Sequence, residues 1–370
     1  MKDTFTIMIP TAFGIEGVTK KELKKLGYDA KAQDGRVIFE GGFKDIVRAN
    51  LWIRTGNRVM IKMAEFDAYD FDTLFDRTFK VEWAEFLTKD ANFPVELSSV
   101  KSKLSSVPAC QSIVKKAIVE KLKKRYGINQ FPEDGPLYRI KVQILKDHVI
   151  IGLDTTGYSL NKRGYRVNIS EAPLKETLAA SLVLLSNWNG EPLWDGFCGS
   201  GTIPIEGAMI AKNIAPGLIR DFAFESWKNF PVSILYEEKR IAKESIKKSA
   251  IKIIGTDIDK KSIDAAIKNA KRIGLEKFIE FRTANIKDFV PRLENGYFIS
   301  NLPYGKRLEK SEELYQILKE KYMNLRKWNF FFLTADSDFE RKFFKADENR
   351  KMFNGRIEVR FYMYKRRNEN

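Results

Sequence analysis

From about residue 161 to the end, the sequence alternates short apolar runs with helical patterns of apolar residues. This alternation is typical of a parallel sheet with helices on both faces. The chain closes with two extended runs around Asn354-Gly355, a dipeptide that favours a hairpin turn. A parallel sheet that ends in an antiparallel hairpin is a restrictive architecture, and it predicts an α/β fold. The predicted strands are Pro192–Cys198, Ile251–Asp257, Phe278–Arg282, Tyr297–Leu302 and Trp328–Thr334, and the helices are Ile203–Lys212, Ser262–Ile273 and Glu312–Arg326.

The preceding residues predict two further α/β units, one over 1–58 and a second over 59–156, which leaves 157–370 for the alternating region. The first unit has strands over Phe5–Pro10 and Arg36–Phe39 and helices over Ile15–Leu26 and Phe43–Leu51. The second combines a basic helix, Ser112–Tyr126, with strands over Val59–Phe66, Val95–Val100, Tyr138–Leu145 and Val149–Asp154.

Charge and composition indicate which kinds of partner and site this chain can have. The chain has 65 Lys+Arg against 49 Asp+Glu, a formal net charge of +16, which favours a polyanionic partner and nucleic acid before membrane. It has two cysteines and one histidine, which excludes a disulfide framework and a zinc site built on paired cysteines, so we predict no metal. Apolar runs fall short of the ~18 residues of a membrane span. We therefore expect a cytoplasmic protein.

The basic excess is concentrated near the predicted helix of the second unit. Between Ser98 and Tyr126 there are eight Lys/Arg and one acid, Glu120, beside a serine-rich loop whose hydroxyls and amides suit phosphate. A solvated helix face is the alternative interpretation. We predict RNA contacts from Lys101, Lys103, Lys115, Lys116, Lys123, Lys124, Arg125 and, in the third unit, Arg163.

A glycine-rich segment, Asp195–Thr202, follows the first strand of the third unit and opens a helix. Glycines allow a ligand to approach the backbone closely, and a helix N-terminus favours negative groups. No Gly-Lys-Ser/Thr follows, which excludes a P-loop. Pro204 stands where a dinucleotide fingerprint has its third glycine, and Asp257 comes 56 residues after Gly201 rather than about 20. A tight strand–helix turn without a ligand is the alternative.

Polar side chains also follow the second and third strands. Asp257 can accept hydrogen bonds from the two ribose hydroxyls of an adenosine, whereas Asp259 fits the N-cap of the next helix. Asn285, after the third strand, could address an adenine amino group.

The fourth strand ends in Asn301-Leu302-Pro303-Tyr304-Gly305. The Asn301 side-chain oxygen and the carbonyl of Leu302 or Pro303 can accept both N–H bonds of an exocyclic amine and stabilise the positive charge that develops as its nitrogen attacks a methyl sulfonium. Tyr304 would stack on the base, which must leave its stack where the nucleic acid is paired. The alternative is a turn that uses Asn, Pro and Gly for their backbone angles.

Together with Leu160–Arg166, Ala172–Ala180 and Asn213–Gly217, these motifs resemble the THUMP-domain class I S-adenosylmethionine-dependent RNA methyltransferases of the RlmL type, which make N2-methylguanosine in 23S ribosomal RNA. The resemblance covers essentially the whole chain. It implies a ferredoxin-like domain over 1–58, a THUMP RNA-binding domain over 59–156 and a Rossmann-like methyltransferase domain over 157–370.

The resemblance also implies site residues. Asn301, Pro303 and Tyr304 would act at the target base. The S-adenosylmethionine pocket would be lined by Thr177, Asp195, Gly196, Cys198, Gly199, Gly201, Thr202, Asp257, Ile258, Asn285, Ile286 and Asn301. The chain departs from the family pattern at three positions: Gly196 replaces a proline, which predicts a looser loop, Leu302 replaces the first proline of the pair, and Asn285 replaces an aspartate.

The motifs predict methyl transfer to an exocyclic amine, and the resemblance implies that this is the N2 amine of a guanosine, with 23S ribosomal RNA as the expected substrate. A leucine at position 302 also occurs in related enzymes that act on tRNA, so a tRNA guanosine is the first alternative. DNA adenine-N6 methylation follows the same amine chemistry and is a second. A non-catalytic RNA-binding assembly factor is a third, although RNA binding alone does not require Asp195, Asn301 and Tyr304.

Overall fold

The computed structural model describes residues 4–166, 174–248, 250–303 and 311–366, which form two seven-stranded sheets with helices packed on them. In the first sheet, strands β1 to β7 are ordered β2-β3-β1-β4-β7-β6-β5. The elements of this half, with a short 3-10 helix at Trp83–Glu85, are β1 Phe5–Pro10, α1 Glu16–Lys25, β2 Ala30–Gln33, β3 Arg36–Gly41, α2 Phe43–Trp52, β4 Met60–Asp67, α3 Phe71–Phe79, β5 Val95–Val100, α4 Val107–Tyr126, β6 Ile140–Leu145 and β7 His148–Asp154.

The two predicted N-terminal units share this one sheet. Strand β1 pairs with β4 at Ile7↔Ile61 and Met8↔Met60, and β4 continues to β7. In β6 alternate residues are buried, with Ile140, Val142 and Ile144 in the main core. Met8, Met60 and Ile150 of the neighbouring strands form a small separate apolar cluster. The boundary predicted at residue 58 therefore precedes a strand of a continuous sheet.

The second sheet has the order β10-β9-β8-β11-β12-β14-β13. Strands β8 to β12 run parallel, and β14 pairs antiparallel with both β12 and β13. The structure thus confirms the predicted α/β architecture and its closing hairpin. Its elements, with a 3-10 helix at Ala223–Ser226, are α5 Glu176–Leu185, β8 Leu193–Asp195, α6 Thr202–Ala211, α7 Ser233–Glu244, β9 Ile253–Asp257, α8 Lys260–Arg272, β10 Ile279–Thr283, β11 Gly296–Asn301, α9 Ser311–Asn324, β12 Trp328–Thr334, α10 Phe339–Lys342, β13 Glu348–Asn354 and β14 Ile357–Tyr364.

The direction of the strand order reverses between β8 and β11, and in open α/β sheets the ligand crevice lies outside the carboxyl ends of the strands at such a point. Aromatic rings fill the core beneath it: Trp194 meets Phe298 edge-to-face, with ring centroids 4.8 Å apart. Among the described residues, no helix is long and apolar enough to cross a membrane.

Several local predictions differ from the structure; helix α4, for example, begins at Val107 rather than at Ser112. Strand β8 covers three residues, Leu193–Asp195, rather than seven, because the backbone turns away from the sheet at the glycine-rich loop. In the closing hairpin, Asn354 pairs with Ile357, so the two turn residues are Gly355 and Arg356. Gly355 has φ +66°, which suits glycine at the first central position of a type II′ turn.

Candidate active site

The predicted site side chains converge at the crevice between β8 and β11. Asp195 ends β8, Asp257 ends β9 and Asn301 ends β11, so three strands deliver their last residues to one edge of the sheet. The loop between β8 and α6 crosses this edge: the Cys198 N–H donates to the Thr256 carbonyl (3.0 Å), and the Gly199 N–H donates to Asp257 Oδ2 (2.8 Å). The loop is therefore fixed against the end of β9.

Glycine is required at two positions of this loop. Gly201 has φ +84°, and a Cβ there would lie 2.9 Å from Ala266 Cβ and from the Phe281 ring. A Cβ on Gly196 would lie 2.7 Å from Ile286 Cδ1 and 2.9 Å from Phe298. The expectation of a looser loop at Gly196 is wrong, because the residue packs tightly and its N–H donates to Ser300 Oγ (2.9 Å).

Asp195 is a buried carboxylate beneath the loop, with 1% of its surface exposed. Its Oδ1 accepts hydrogen bonds from the Ser300 hydroxyl (2.6 Å) and the Phe197 N–H (3.1 Å). Burial raises the pKa of Asp195 to about 7, the nearby Asp257 adds to this rise, and the two hydrogen bonds oppose it. The carboxyl therefore titrates close to neutral pH.

The residues predicted to bind an adenosine lie at or just after the ends of β9 and β10. Asp257 accepts one N–H on each oxygen, from Gly199 and from Asp259 (3.0 Å), and each oxygen keeps a lone pair for a ribose hydroxyl. Ile258 is 70% exposed, which leaves an apolar side chain to cover a base. Asn285 is exposed, and its Oδ1 accepts a hydrogen bond from the Lys287 N–H (3.0 Å). Asp259 caps α8 as predicted, accepting from Lys261 and Ser262.

Asn301 has an unsatisfied acceptor. Its Oδ1 is buried and has no hydrogen-bond partner among the described residues. Its backbone lies in β11, paired in register with Leu333 of β12, so the side chain is held at the sheet edge. Pro303 is half-buried two residues further on, and Tyr304 lies outside the described residues. A buried acceptor without a donor is the arrangement that an exocyclic amine would complete.

Cys198 is a buried thiol under the loop, not a nucleophile. Burial raises its pKa well above the usual value, and the carboxylates of Asp195 and Asp257 act in the same direction. These effects disfavour the thiolate, the form in which catalytic cysteines react.

Arg166 is a residue that the sequence reasoning did not assign. It donates to Glu176 Oε1 (2.8 Å), Ser200 Oγ (3.0 Å) and Thr202 Oγ1 (3.0 Å), and so ties α5 to the start of α6. Thr177, next to Glu176, is buried within α5. The signal for Arg166 was its place in the segment Leu160–Arg166, but nothing local shows which partners it reaches.

The predicted RNA-binding lysines fall into two groups. Lys115 donates to the Phe93 carbonyl (3.1 Å) and Glu133 (2.7 Å), and Lys123 pairs with Glu120 (2.8 Å), so both ammonium groups have protein partners. The second group is exposed to solvent and comprises Lys101, Lys103, Lys116, Lys124 and Arg125.

The prediction that Arg163 contacts RNA is wrong. The side chain is 1% exposed, and its guanidinium donates to Glu206 and to the carbonyls of Leu160 and Arg54. A buried arginine is stabilised by such partners and presents no surface to a phosphate.

Three family models match the chain. The RMKL-like methyltransferase domain matches residues 163–362, which is more than half of the chain. The chain belongs to the RMKL-like methyltransferase family. The RlmL ferredoxin-like domain matches 6–60 and the THUMP domain matches 68–154. The site described above lies within the methyltransferase match, so this family member is an enzyme.

Relatives and solved structures agree with the family. The chain is 43% identical over 368 residues to the Bacillus subtilis protein named "Putative RNA methyltransferase YpsC", covering 97% of this chain and 96% of that one. It is 33% identical to the ribosomal RNA large subunit methyltransferase K/L of Psychromonas ingrahamii, covering 95% of this chain and about half (49%) of that relative.

Two crystal structures share the whole fold. SMU.472 complexed with SAH has a TM-score of 0.95 at 42% identity and covers 100% of both chains. A protein described as a predicted N6-adenine-specific DNA methylase from Listeria monocytogenes has a TM-score of 0.93 at 41% identity, covering 98% of this chain and 97% of that one.

Proposed function

We propose that this protein transfers a methyl group from S-adenosylmethionine to the N2 amine of a guanosine in 23S ribosomal RNA. The observation that carries the proposal is the buried Oδ1 of Asn301, at the end of β11, which has no hydrogen-bond partner among the residues that the structure describes. The K/L relative and the SAH complex of SMU.472 support the substrate and the cofactor.

When bound, S-adenosylmethionine supplies a methyl carbon on a positively charged sulfur. The chain's own residues would hold its three parts: Asp257 the ribose hydroxyls, Ile258 and Asn285 the adenine, and the loop from Gly196 to Gly201 the amino-acid part. The exposed side of Asp257 and the open space at Gly199, where a Cβ would meet no atom within 4 Å, leave room for it.

Asn301 acts on the other reactant. The lone pair of a guanine N2 amine is delocalised into the ring, so the amine is a poor nucleophile. As its nitrogen forms a bond to the methyl carbon and the carbon–sulfur bond breaks, positive charge grows on the N–H groups. Asn301 Oδ1 and the carbonyl of Leu302 or Pro303 accept those hydrogens and stabilise the charge. The extra proton then leaves the nitrogen to water.

The RNA is bound by the THUMP-matched segment, 68–154, and its exposed cations. THUMP-type recognition by shape and phosphates leaves the choice of base to the crevice. A guanosine in tRNA and an adenine N6 amine in DNA satisfy the same Asn301 acceptor, and the Listeria neighbour carries a description of the latter kind.

The test is methyl transfer from labelled S-adenosylmethionine to unmodified 23S ribosomal RNA, tRNA and duplex DNA, followed by nucleoside analysis. We expect label in N2-methylguanosine from ribosomal RNA. Asn301→Ala should lower kcat by about 10²- to 10³-fold, the usual loss for one transition-state hydrogen bond, with SAH affinity unchanged.

Asn285→Ala is the matched control for this variant. It should weaken SAH binding and leave kcat at saturating cofactor close to that of the wild type, because Asn285 faces the cofactor. Label in tRNA would show that the substrate is tRNA rather than ribosomal RNA. Label in N6-methyladenine of DNA would show that the substrate is DNA. An Asn301→Ala protein with normal turnover would contradict the role of Asn301.

A further inference from the structure

Ser300 stands between the two halves of the site. It is fully buried, directly precedes Asn301, and belongs to β11. Its hydroxyl donates to Asp195 Oδ1 (2.6 Å) and accepts from the Gly196 N–H (2.9 Å). Both bonds run to the start of the cofactor loop, so the hydroxyl orientation is fixed.

The strand pairing shows why these two bonds matter. Strands β8 and β11 are in register at Tyr297↔Leu193 and Phe298↔Trp194, and among the described residues the pairing stops there. Strand β11 stays paired with β12 as far as Asn301. Beyond Phe298, therefore, the end of β11 separates from β8, and the crevice opens. The Ser300 side chain bridges this opening at the point where the backbone hydrogen bonds have ended.

We propose that Ser300 is a positioning residue that fixes the cofactor loop relative to the amide of Asn301. This inference rests on the proposed function, because it assigns one reactant to each side of the opening. Asp195 and Gly196 begin the loop that holds the methyl donor, whereas Asn301 holds the amine. The Ser300 backbone is continuous with Asn301, so any shift of the loop changes the distance between the two reacting atoms.

The geometry gives Ser300 a role that burial alone does not require. A serine that merely satisfied Asp195 could bond to the carboxylate and leave the Gly196 N–H to a backbone partner. Here one oxygen serves both the side chain of Asp195 and the backbone of the next residue. Displacement of reacting groups by ~1 Å can cost about 10²-fold in rate, so two bonds at this position are sufficient to control turnover.

The first experiment measures coupling without a methyl acceptor. Hydrogen–deuterium exchange is followed in wild type, Ser300→Ala and Ser300→Thr, each with and without SAH. In the wild type, SAH should protect both the loop 195–201 and the peptide 296–303. In Ser300→Ala, SAH should still bind, within about threefold of the wild-type Kd, and should protect the loop alone. Ser300→Thr keeps the hydroxyl and should restore protection of both peptides.

The second experiment measures turnover on RNA, with Ser181→Ala as the matched control. Ser181 is also fully buried, but its hydroxyl donates within α5 to the Leu178 carbonyl (2.6 Å). Ser300→Ala should lower kcat by about 10- to 100-fold with little change in the KM for S-adenosylmethionine, whereas Ser181→Ala should lose stability with kcat retained.

Undiminished protection of 296–303 by SAH in Ser300→Ala would overturn the positioning role, and so would a kcat within about threefold of the wild type. A wild type that binds SAH but methylates no RNA would refute the proposed function while the exchange data still decide the role of Ser300. A wild type that binds no SAH would overturn both.

Discussion

At the scale of single residues, Asp195 is kept where its charge is unfavourable. Its carboxyl is buried beneath the loop, close to Asp257, and burial raises its pKa from 3.8 to about 7. Ionising a carboxyl in such surroundings lowers the stability of the fold. An uncharged side chain of similar shape should therefore make the fold more stable at neutral pH.

The pH dependence of stability tests this point through Asp195→Asn. Between pH 4 and 7 the folded protein keeps a proton that the unfolded chain has lost, so the stabilisation from protonated Asp195 is lost as pH rises towards 7. Asparagine removes this dependence, and its oxygen can still accept from Ser300 and Phe197. The free energy of unfolding of Asp195→Asn relative to wild type should therefore rise by about 3 kcal/mol from pH 5 to pH 8, measured by urea unfolding.

Asp259→Asn provides the comparison, because the contribution of Asp259 to stability changes with pH in the opposite direction. The hydrogen bonds from Ser262 and Lys261 lower the pKa of this exposed cap, so its contribution is present at neutral pH and is lost on acidification. A difference between Asp195→Asn and wild type that did not change with pH would contradict the raised pKa of Asp195.

At the scale of helices and strands, the sequence predicted those elements whose apolar residues follow a regular local pattern. Apolar patterns located most strands of both sheets. Asp195, Asp257 and Asn301 were placed near one another because the carboxyl ends of parallel strands meet at one edge of the sheet. Strand β2, Ala30–Gln33, was missed because its alanines and polar residues carry little strand preference. Helix α3, Phe71–Phe79, was missed within a segment of mixed charge.

Contacts between distant elements could not be predicted in this way. The bridge from Ser300 to Asp195 spans 105 residues, and the pairing of β1 with β4 joins two units that the sequence separates. Arg163 was expected to contact RNA, and its burial depends on Glu206, 43 residues later. Such features depend on the tertiary fold and leave no local pattern.

The exposed cations of helix α4 allow a prediction about RNA binding. Its exposed cations Lys116, Lys124 and Arg125 are available to phosphates, whereas Lys121 and Lys123 pair with Glu82 and Glu120. Replacing the three exposed residues with alanine should weaken RNA binding and reduce the slope of log K against log salt by about 2 to 3, because each lost phosphate contact removes counterion release.

The matched control is Lys121→Ala/Lys123→Ala, measured in the same salt titration. This double variant lowers the net charge of the same helix but removes ammonium groups that already have partners. It should leave the slope close to the wild-type value. Equal slopes for the triple variant and wild type would instead identify α4 as a solvated face.

At the scale of the whole molecule, buried polar contacts join the N-terminal sheet to the methyltransferase half. Arg54, which follows α2, donates to the Ile214 carbonyl (2.7 Å), and its own carbonyl accepts from Arg163. The Gly217 N–H donates to the Leu51 carbonyl (2.9 Å), and a Cβ on Gly217 would lie 2.7 Å from Leu51 Cα. The two halves therefore pack backbone against backbone, and the RNA-binding half is held in a fixed orientation to Asn301.

Glu206 is the carboxylate at the centre of this junction, fully buried and bonded to Arg163 and to the Tyr165 hydroxyl (3.1 Å). Glu206→Ala leaves the Arg163 guanidinium buried without its counter-charge, so it should lower the free energy of unfolding by about 3 to 5 kcal/mol. Tyr165→Phe removes one hydrogen bond and should cost about 1 kcal/mol.

Urea unfolding followed by tryptophan fluorescence and by hydrogen exchange in each half measures the effect of both variants. If the junction makes the two halves one cooperative unit, they should unfold in a single transition in the wild type. Glu206→Ala should then give two separate unfolding transitions. If this variant instead unfolds in one transition, with a free energy of unfolding within about 1 kcal/mol of the wild type, the junction does not depend on this ion pair.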